Sequence, residues 1–248
     1  MSKQNVLAYF EEFGDKMYVL AILSIVSIFT GGIVQLIMWI LLLLSLKHIE
    51  KANLELNDKN LENFRSKLIY AVIISVVGFA VVFVVSGLLF FQFFQLMLGT
   101  NGTSVPELDT ITMIINLALI IAVISLIVSL IGIYLVMSAW KNFHIFFKNN
   151  KEMFPESIGR DAIDGTKKLK NAYLLELISM VIGIVIILIV IIAVPLLIDL
   201  IGSAPNFTDI IGILLVALIP GVIAGILSIA SFVLMILGYF SLSHLKNL

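Results

Sequence analysis

The chain has 248 residues, of which 61% are hydrophobic and only 12% are charged, and its mean hydropathy is +1.16. Soluble domains are about half apolar and about a quarter charged, so this composition excludes a soluble domain and predicts an all-α integral membrane bundle. The formal net charge of −1 gives no basic field for nucleic acid, and the absence of cysteine excludes disulfides and thiolate catalysis.

Residues 1–16 mix apolar and charged positions. The apolar residues recur at the spacing of one helical face, at Val6, Phe10, Phe13 and then Met17. This pattern predicts a short amphipathic helix that lies at the membrane interface and leads into the first span, with a frayed tail as the alternative.

Five apolar runs follow, and each is long enough to be a transmembrane helix. We place the spans at about 17–46, 68–98, 110–140, 171–200 and 210–243. The first run would form a helix of roughly 45 Å, against a hydrocarbon core of roughly 30 Å. We therefore expect this helix to be kinked or interrupted at Gly31 and Gly32, which brings Gln35 against another helix.

The connecting segments differ in charge. Segments 47–67 and 141–170 carry five and seven of the fifteen Lys and Arg residues, whereas segments 99–109 and 201–209 carry none. Because Lys and Arg collect in cytoplasmic loops, we predict five transmembrane helices with the N-terminus outside and the C-terminus inside. The candidate glycosylation sites Asn101 and Asn206 fall in the two loops assigned to the outside.

The two cytoplasmic segments are predicted to be largely helical. Asn57 or Asp58 is available as the N-cap of a helix that runs into span 2, in which Leu61, Phe64 and Leu68 recur at helical spacing. Segment 141–170 is expected to divide before Pro155, because proline disfavours helix in the residue that precedes it.

The first and last spans resemble each other. Residues 44–49 are similar to 240–245, and residues 22–27 are similar to 226–231. We predict a bundle of repeated helix pairs, an arrangement found in transporters and in scaffolds, although apolar sequences also resemble one another by chance.

The run ILLLLSLKHI at residues 40–49, a short acidic–basic linker and NFRSKL at residues 63–68 resemble a family of small archaeal membrane proteins. Residues 132–134, which precede Phe143, and the closing residues 240–242 are similar too. The family is itself described only as a domain of unknown function. The resemblance covers most of the chain and implies a multi-pass protein of an archaeal-type plasma membrane, without indicating any chemistry.

Polar groups inside the membrane are costly, so each one is a candidate functional residue. The binding candidates are Glu176, Gln35 and Asn116. His48, His144 and His244 all lie at the cytoplasmic ends of odd-numbered spans, and Glu176 enters span 4 from the same side. These four side chains are candidates for a zinc site or a proton relay. Alternatively, the histidines are interfacial anchors and Glu176 pairs with Lys67 or Lys168.

The sequence contains no motif of a metalloprotease, a serine hydrolase or a phosphate-binding loop, so we predict a protein that is not an enzyme and needs no cofactor. We expect a scaffold or subunit that binds a protein partner or lipid, with a small-solute or proton-coupled transporter as the alternative. The expected partners are membrane lipid and, through Gly221 and Gly225, a second copy or another membrane subunit. Nucleic acid is not an expected partner.

Overall fold

The computed structural model describes residues 3–30, 32–99, 108–202 and 207–248, except the side chains of 3, 32–33, 35, 93, 96–99, 108–119, 190–202 and 207–217. Helices dominate this part of the chain, in agreement with the predicted all-α bundle. In chain order they are α1 (Lys3–Thr30), α2 (Gly32–Leu56), α3 (Lys59–Gly99), α4 (Leu108–Asn149), α5 (Glu156–Gly202) and α6 (Phe207–Ser243), with short 3-10 helices at Lys151–Met153 and His244–Asn247.

Five of these helices, α1 and α3 to α6, are long and apolar enough to cross a membrane. The chain divides into two compact units. Unit 1 comprises Met1–Ile69 and Ile133–Leu248, and unit 2 comprises Tyr70–Gly132, the apolar part of α3 and the first part of α4. Within unit 2, Val128 packs directly against Gly78, so the two helices approach closely there.

The helices α1 and α2 form an antiparallel hairpin. Glu12 of α1 contacts His48 of α2, and the Lys51 ammonium lies 5.5 Å from the centre of the Tyr9 ring. From the first contact to the second, the residue number falls by three in α1 and rises by three in α2. This is the pattern of two helices that run in opposite directions. The predicted interruption is confirmed, because α1 ends at Thr30 and α2 begins at Gly32, but the two helices run in opposite directions instead of continuing as one span over 17–46.

This reversal makes the prediction of an outside N-terminus and an inside C-terminus wrong. Gly14 of α1 packs against the backbone of Leu245 and Lys246, and the Tyr18 and Phe240 rings lie 6.4 Å apart. The N-terminal half of α1 and the C-terminus are therefore at the same end of unit 1. An apolar run of thirty residues does not distinguish one long helix from two short ones, whereas a glycine pair within the run favours a break.

We call this end of unit 1 the cap: residues 3–16, 47–69, 140–170 and 239–248. Its core is a cluster of nine aromatic side chains, each at most 5% exposed, which we call the aromatic cluster. Its members are Phe10, Phe13, Phe64, Trp140, Phe143, Phe146, Phe147, Phe154 and Tyr239.

The N-terminal segment is helical as predicted, but its apolar face is buried in protein and not left free for lipid. Phe10 and Phe13 are fully buried in the aromatic cluster, where Phe10 stacks on Phe146 with ring centres 5.5 Å apart. The segment is thus part of the core of the cap, because its apolar face has protein to pack against and does not need lipid.

The connection between α2 and α3 has the predicted cap. Asn57 has a positive φ of 48°, a conformation that asparagine tolerates and that ends α2. The Asp58 carboxylate then accepts hydrogen bonds from the backbone N–H groups of Asn60 and Leu61, at 2.7 and 3.2 Å. Asp58 is therefore the N-cap of α3.

Small residues and hydroxyl groups hold α5 against α6. A side chain added at Gly165 would meet the Gly238 carbonyl oxygen at 2.9 Å, so the two backbones almost touch. In the membrane section, the Ser179 hydroxyl donates to the Ala224 carbonyl at 3.0 Å and the Ser231 hydroxyl donates to the Ala172 carbonyl at 2.8 Å. The membrane section of this pair is held by close approach and hydrogen bonds.

The fold does not support the predicted repeat of helix pairs. Residues 22–27 lie on α1, which runs away from the cap, whereas the matched residues 226–231 lie on α6, which runs towards it. Gly221 and Gly225 have no described atom within 4 Å of the position that a side chain would take, so they do not pack within the described chain, and their use in a dimer stays a prediction.

Candidate functional site

The three histidines lie in different parts of the cap, and each connects a different pair of elements. His48 Nδ1 is 2.5 Å from the Glu12 carboxylate, which links α2 to α1. This approach lacks hydrogen-bond geometry, so it is a close contact between the two side chains and not a hydrogen bond. His244 Nδ1 is 2.6 Å from the Asp161 carboxylate, which links the C-terminal turn to α5.

His144 links α4 to α5 through the backbone. It follows the apolar part of α4, beyond Lys141, and its Nδ1 lies 3.1 Å from the Ile163 carbonyl oxygen and 3.2 Å from the Thr166 hydroxyl. Burial lowers the pKa of His144, and the opposing hydrogen bond to the Ile163 carbonyl does not cancel this effect. A neutral ring that donates from Nδ1 to the carbonyl fits this position.

The predicted zinc site is not formed. Within the part of the chain that the structure describes, no three His, Asp or Glu side chains are placed to hold one metal ion. The physical reason is that helix ends of a bundle are spread around its circumference, so a shared position along the axis does not bring side chains together. The histidines instead contact Glu12, the Ile163 carbonyl and Asp161.

Glu176 does not pair with either of the lysines considered for it. Lys67 Nζ donates to the Ser138 hydroxyl at 2.7 Å, and Lys168 Nζ lies 2.5 Å from the Asp164 carboxylate. Glu176 is partly buried in the membrane section of α5, and it has no ion-pair partner among the described residues.

Two tyrosines that sequence reasoning missed lie beside Glu176. Tyr173 is 9% exposed and Tyr239 is 2% exposed, and both line the same small crevice. The Tyr173 hydroxyl also donates to Met235 Sδ at 3.8 Å. Tyr173 precedes Glu176 by about one helical turn, so helical spacing could have placed Tyr173 on the same face of α5 as Glu176. Nothing in the sequence indicates Tyr239.

A small crevice adjoins these tyrosines. It has a volume of about 10 Å³, which is room for about one water molecule. Its lining comes from α2, α5 and α6: Met38, Trp39, Leu42, Tyr173, Met235 and Tyr239.

The larger concave site, which we call the cleft, lies on the cap and has a volume of about 400 Å³. Pockets for small molecules run from about 300 to 1,000 Å³, so a few side chains of a partner would fit. The cleft has an apolar floor beneath two basic and two acidic side chains: Lys151, Glu152, Phe154, Glu156, Gly159, Arg160 and Ile163.

The floor of the cleft belongs to the core of the cap. The Phe154 ring is 5.2 Å from Phe10 and 5.1 Å from Phe147, and it is only 5% exposed. A side chain added at Gly159 would lie 3.4 Å from the Lys151 carbonyl oxygen and from Phe154 Cβ, so glycine keeps this wall open. The aromatic cluster therefore fixes the shape of the cleft.

The structure does not describe the side chains of the other candidate residues. Asn101 and Asn206 lie outside the described residues. Gln35 lies in α2 and Asn116 lies in α4, but their side chains are outside the described part of the chain. These four assignments stay predictions.

No family model, no curated protein and no solved structure matches this chain.

Proposed function

We propose that the protein is a non-catalytic membrane module whose cap faces the cytoplasm and binds a segment of a cytosolic protein in the cleft. The cleft carries this proposal, because it combines an apolar floor with charges of both signs at its rim. A peptide that inserts an apolar side chain and pairs flanking charges would match that lining.

The position of the cleft favours a protein over a lipid headgroup. Arg160 precedes Lys170, the last charge before the apolar part of α5, by ten residues, or roughly 15 Å of helix. The headgroup layer on each side of a bilayer is only about 5–8 Å thick. Headgroups of the protein's own membrane therefore do not reach the cleft.

The rigidity of the cleft also supports a binding role. Its floor is part of the aromatic cluster, so few groups at the site must be ordered when a partner binds. The cytoplasmic orientation is supported by the Lys and Arg residues of segments 47–67 and 141–170, which lie in the cap. The resemblance to archaeal proteins makes the plasma membrane the proposed location.

Site-specific photocrosslinking in native membranes tests this function. A photoreactive amino acid replaces Glu152, which lines the cleft, or Lys59, an exposed cap residue that does not. We expect a discrete adduct from position 152 and none from position 59. The double variant Lys151→Glu, Arg160→Glu should remove the adduct, whereas Lys59→Glu should retain it.

Equal background labelling from both positions would argue against a partner in the cleft. An adduct that survives reversal of both basic residues would argue against the proposed charge pairing.

Proton-coupled transport is the second candidate function, and Glu176 is the observation that favours it. A carboxyl group inside the membrane, one helical turn beyond Tyr173 and the crevice for about one water that Tyr173 lines, resembles part of a proton path. Purified protein in vesicles with a pH-sensitive dye inside would report proton entry under a pH gradient. Transport requires a proton flux above that of empty vesicles. The variant Glu176→Gln should abolish this excess flux, whereas the cap variant Glu62→Gln should retain it.

A further inference from the structure

The whole of α1 is long enough to cross a membrane, but the uncharged parts of α1 and α2, which form the arms of the hairpin, are short for a crossing. Residues 17–30 and 32–46 contain no charged side chain, whereas Asp15, Lys16, Lys47 and His48 lie directly at their base. Fourteen and fifteen residues of helix measure roughly 21 and 23 Å. The hydrocarbon core is roughly 30 Å thick, so the arms end inside it.

Contacts with α6 give an independent measure of this depth. Gly14 lies level with Leu245 and Lys246. From there α1 continues for sixteen residues, roughly 24 Å, to its end at Thr30. The same distance along α6 ends near Ile229, and α6 extends a further twenty-two residues, roughly 33 Å, to Phe207.

The side chains near the turn face outward and are apolar. Phe29 is 83% exposed, Leu36 is 65% exposed and Ile28 is 60% exposed. Such side chains are stable in lipid and not in water, so the turn of the hairpin lies among the acyl chains. The hairpin therefore enters the membrane from the cap side and returns to the cap side.

We propose that this hairpin is a wedge in one leaflet, and that it makes the protein favour membranes that are convex on the cap side. In unit 1, α5 and α6 are long enough to occupy both leaflets, whereas α1 and α2 occupy only the leaflet next to the cap. A helix with its side chains is about 10–12 Å wide, so the two arms add roughly 160–220 Å² to that leaflet alone.

The helices of unit 2 do not change this difference. The apolar parts of α3 and α4 are long enough to cross the bilayer, so they add similar area to each leaflet. The partner that the hairpin recognises is thus a lipid surface whose cap-side leaflet is expanded. This inference is independent of any occupant of the cleft.

Membrane tethers pulled from giant vesicles test the proposal with the full-length chain. The sequence has no cysteine, so Lys59→Cys gives one site for a fluorophore on the cap. The protein-to-lipid fluorescence ratio is measured on the tether and divided by the same ratio on the vesicle, which gives the sorting ratio. The sorting ratio should exceed unity when the cap faces outward, because the outer leaflet of a tether is expanded. It should fall below unity when the cap faces inward, and quenching by an impermeant reagent distinguishes the orientations.

A lengthened hairpin is the decisive variant. Seven apolar residues inserted into each arm beside Gly31 and Gly32 would add roughly 10 Å and let both arms reach the other leaflet. We expect the sorting ratio to return to unity, whereas the matched variant Phe29→Leu should sort like the parent. A ratio near unity for the parent in both orientations, or unchanged sorting of the lengthened variant, would overturn the proposal.

The depth of the hairpin has a separate readout. A cysteine at Thr30 should resist an impermeant maleimide from both sides of the membrane, whereas the cysteine at Lys59 should react from the cap side. Reaction of the Thr30 cysteine from the side opposite the cap would show that the hairpin crosses, and it would overturn the wedge.

Discussion

The cap and the membrane section of α5 and α6 are packed by different forces. In the cap, nine aromatic side chains are removed almost completely from the solvent. In the membrane section, large side chains point away from the protein, as in Val185 at 47% exposure and Ile229 at 68%, and serine hydroxyls join the two helices through hydrogen bonds to carbonyl groups. The hydrophobic effect stabilises the first region, and lipid provides no equivalent force in the second.

This difference predicts that the two regions respond differently to the same kinds of substitution. The cap should be sensitive to the removal of large side chains and, where α5 and α6 touch at Gly165, to added volume, whereas open positions of the membrane section should tolerate both changes. Two experiments test this contrast, and two more compare polar contacts in the two regions.

The largest effect is expected for Phe143→Ala. Phe143 is fully buried and stacks on Phe64 with ring centres 4.1 Å apart. Its truncation should lower the free energy of unfolding by about 3–5 kcal/mol, because a cavity is left in the cap. The midpoint of thermal unfolding in detergent would show the loss, and the lipid-facing control Val185→Ala should change little. Equal losses from both variants would contradict the contrast.

Gly165→Leu should have the next largest effect. The added side chain would collide with the backbone of Gly238 and with Leu242, so the free energy of unfolding should fall by about 1–3 kcal/mol. The control is Gly183→Leu on the same helix, since a side chain there meets no described atom within 4 Å. If the same unfolding measurement gives similar values for both variants, close approach of α5 and α6 is not what stabilises this pair.

Asp58→Ala tests a polar contact of the cap. The substitution removes two hydrogen bonds to the start of α3 and should cost about 1 kcal/mol. The neighbouring exposed residue Glu55 accepts no such bond among the described residues, so Glu55→Ala is the matched control. Chemical denaturation followed by helix content measures both, and an unchanged midpoint for Asp58→Ala would argue against its role as N-cap.

The smallest effect is expected for Ser231→Ala in the membrane section. It removes one hydrogen bond to the Ala172 carbonyl, a contact that averages about 0.6 kcal/mol between membrane helices. Ser241→Ala removes a hydroxyl of the cap that accepts a hydrogen bond from Lys168, and it serves for comparison. A loss above that of Asp58→Ala would show that polar contacts are stronger in the membrane section than in the cap.

Local patterns in the sequence predicted local features well. Composition gave the class of fold, the charged segments coincide with parts of the cap, and the break at Gly31 and Gly32 and the N-cap Asp58 are where we expected them. Each of these features depends on residues close together in the chain.

The features that the sequence did not predict depend on distant residues. The reversal of α1 onto α2 depends on contacts such as Glu12 with His48, which a single apolar run does not reveal. Phe10 looked like a membrane-interface residue because its partners Phe146 and Phe154 lie more than 130 positions away. The three histidines lie at the same end of unit 1, but their side chains point to different neighbours. Helical periodicity shows which face of one helix a residue occupies, and it gives no information about how that face is turned relative to other helices.

The contact of Gly14 with Leu245 and Lys246 has a consequence for biosynthesis. The aromatic partners of Phe10 are synthesised more than 130 residues after it, and Leu245 and Lys246 follow later still. The apolar face of the nascent α1 must therefore remain uncovered, or be shielded by a chaperone or by lipid, until α4 has been made. A chain truncated before α4 would keep much of that face exposed, so the cap gives the cell a direct chemical signal that distinguishes copies with and without the later helices.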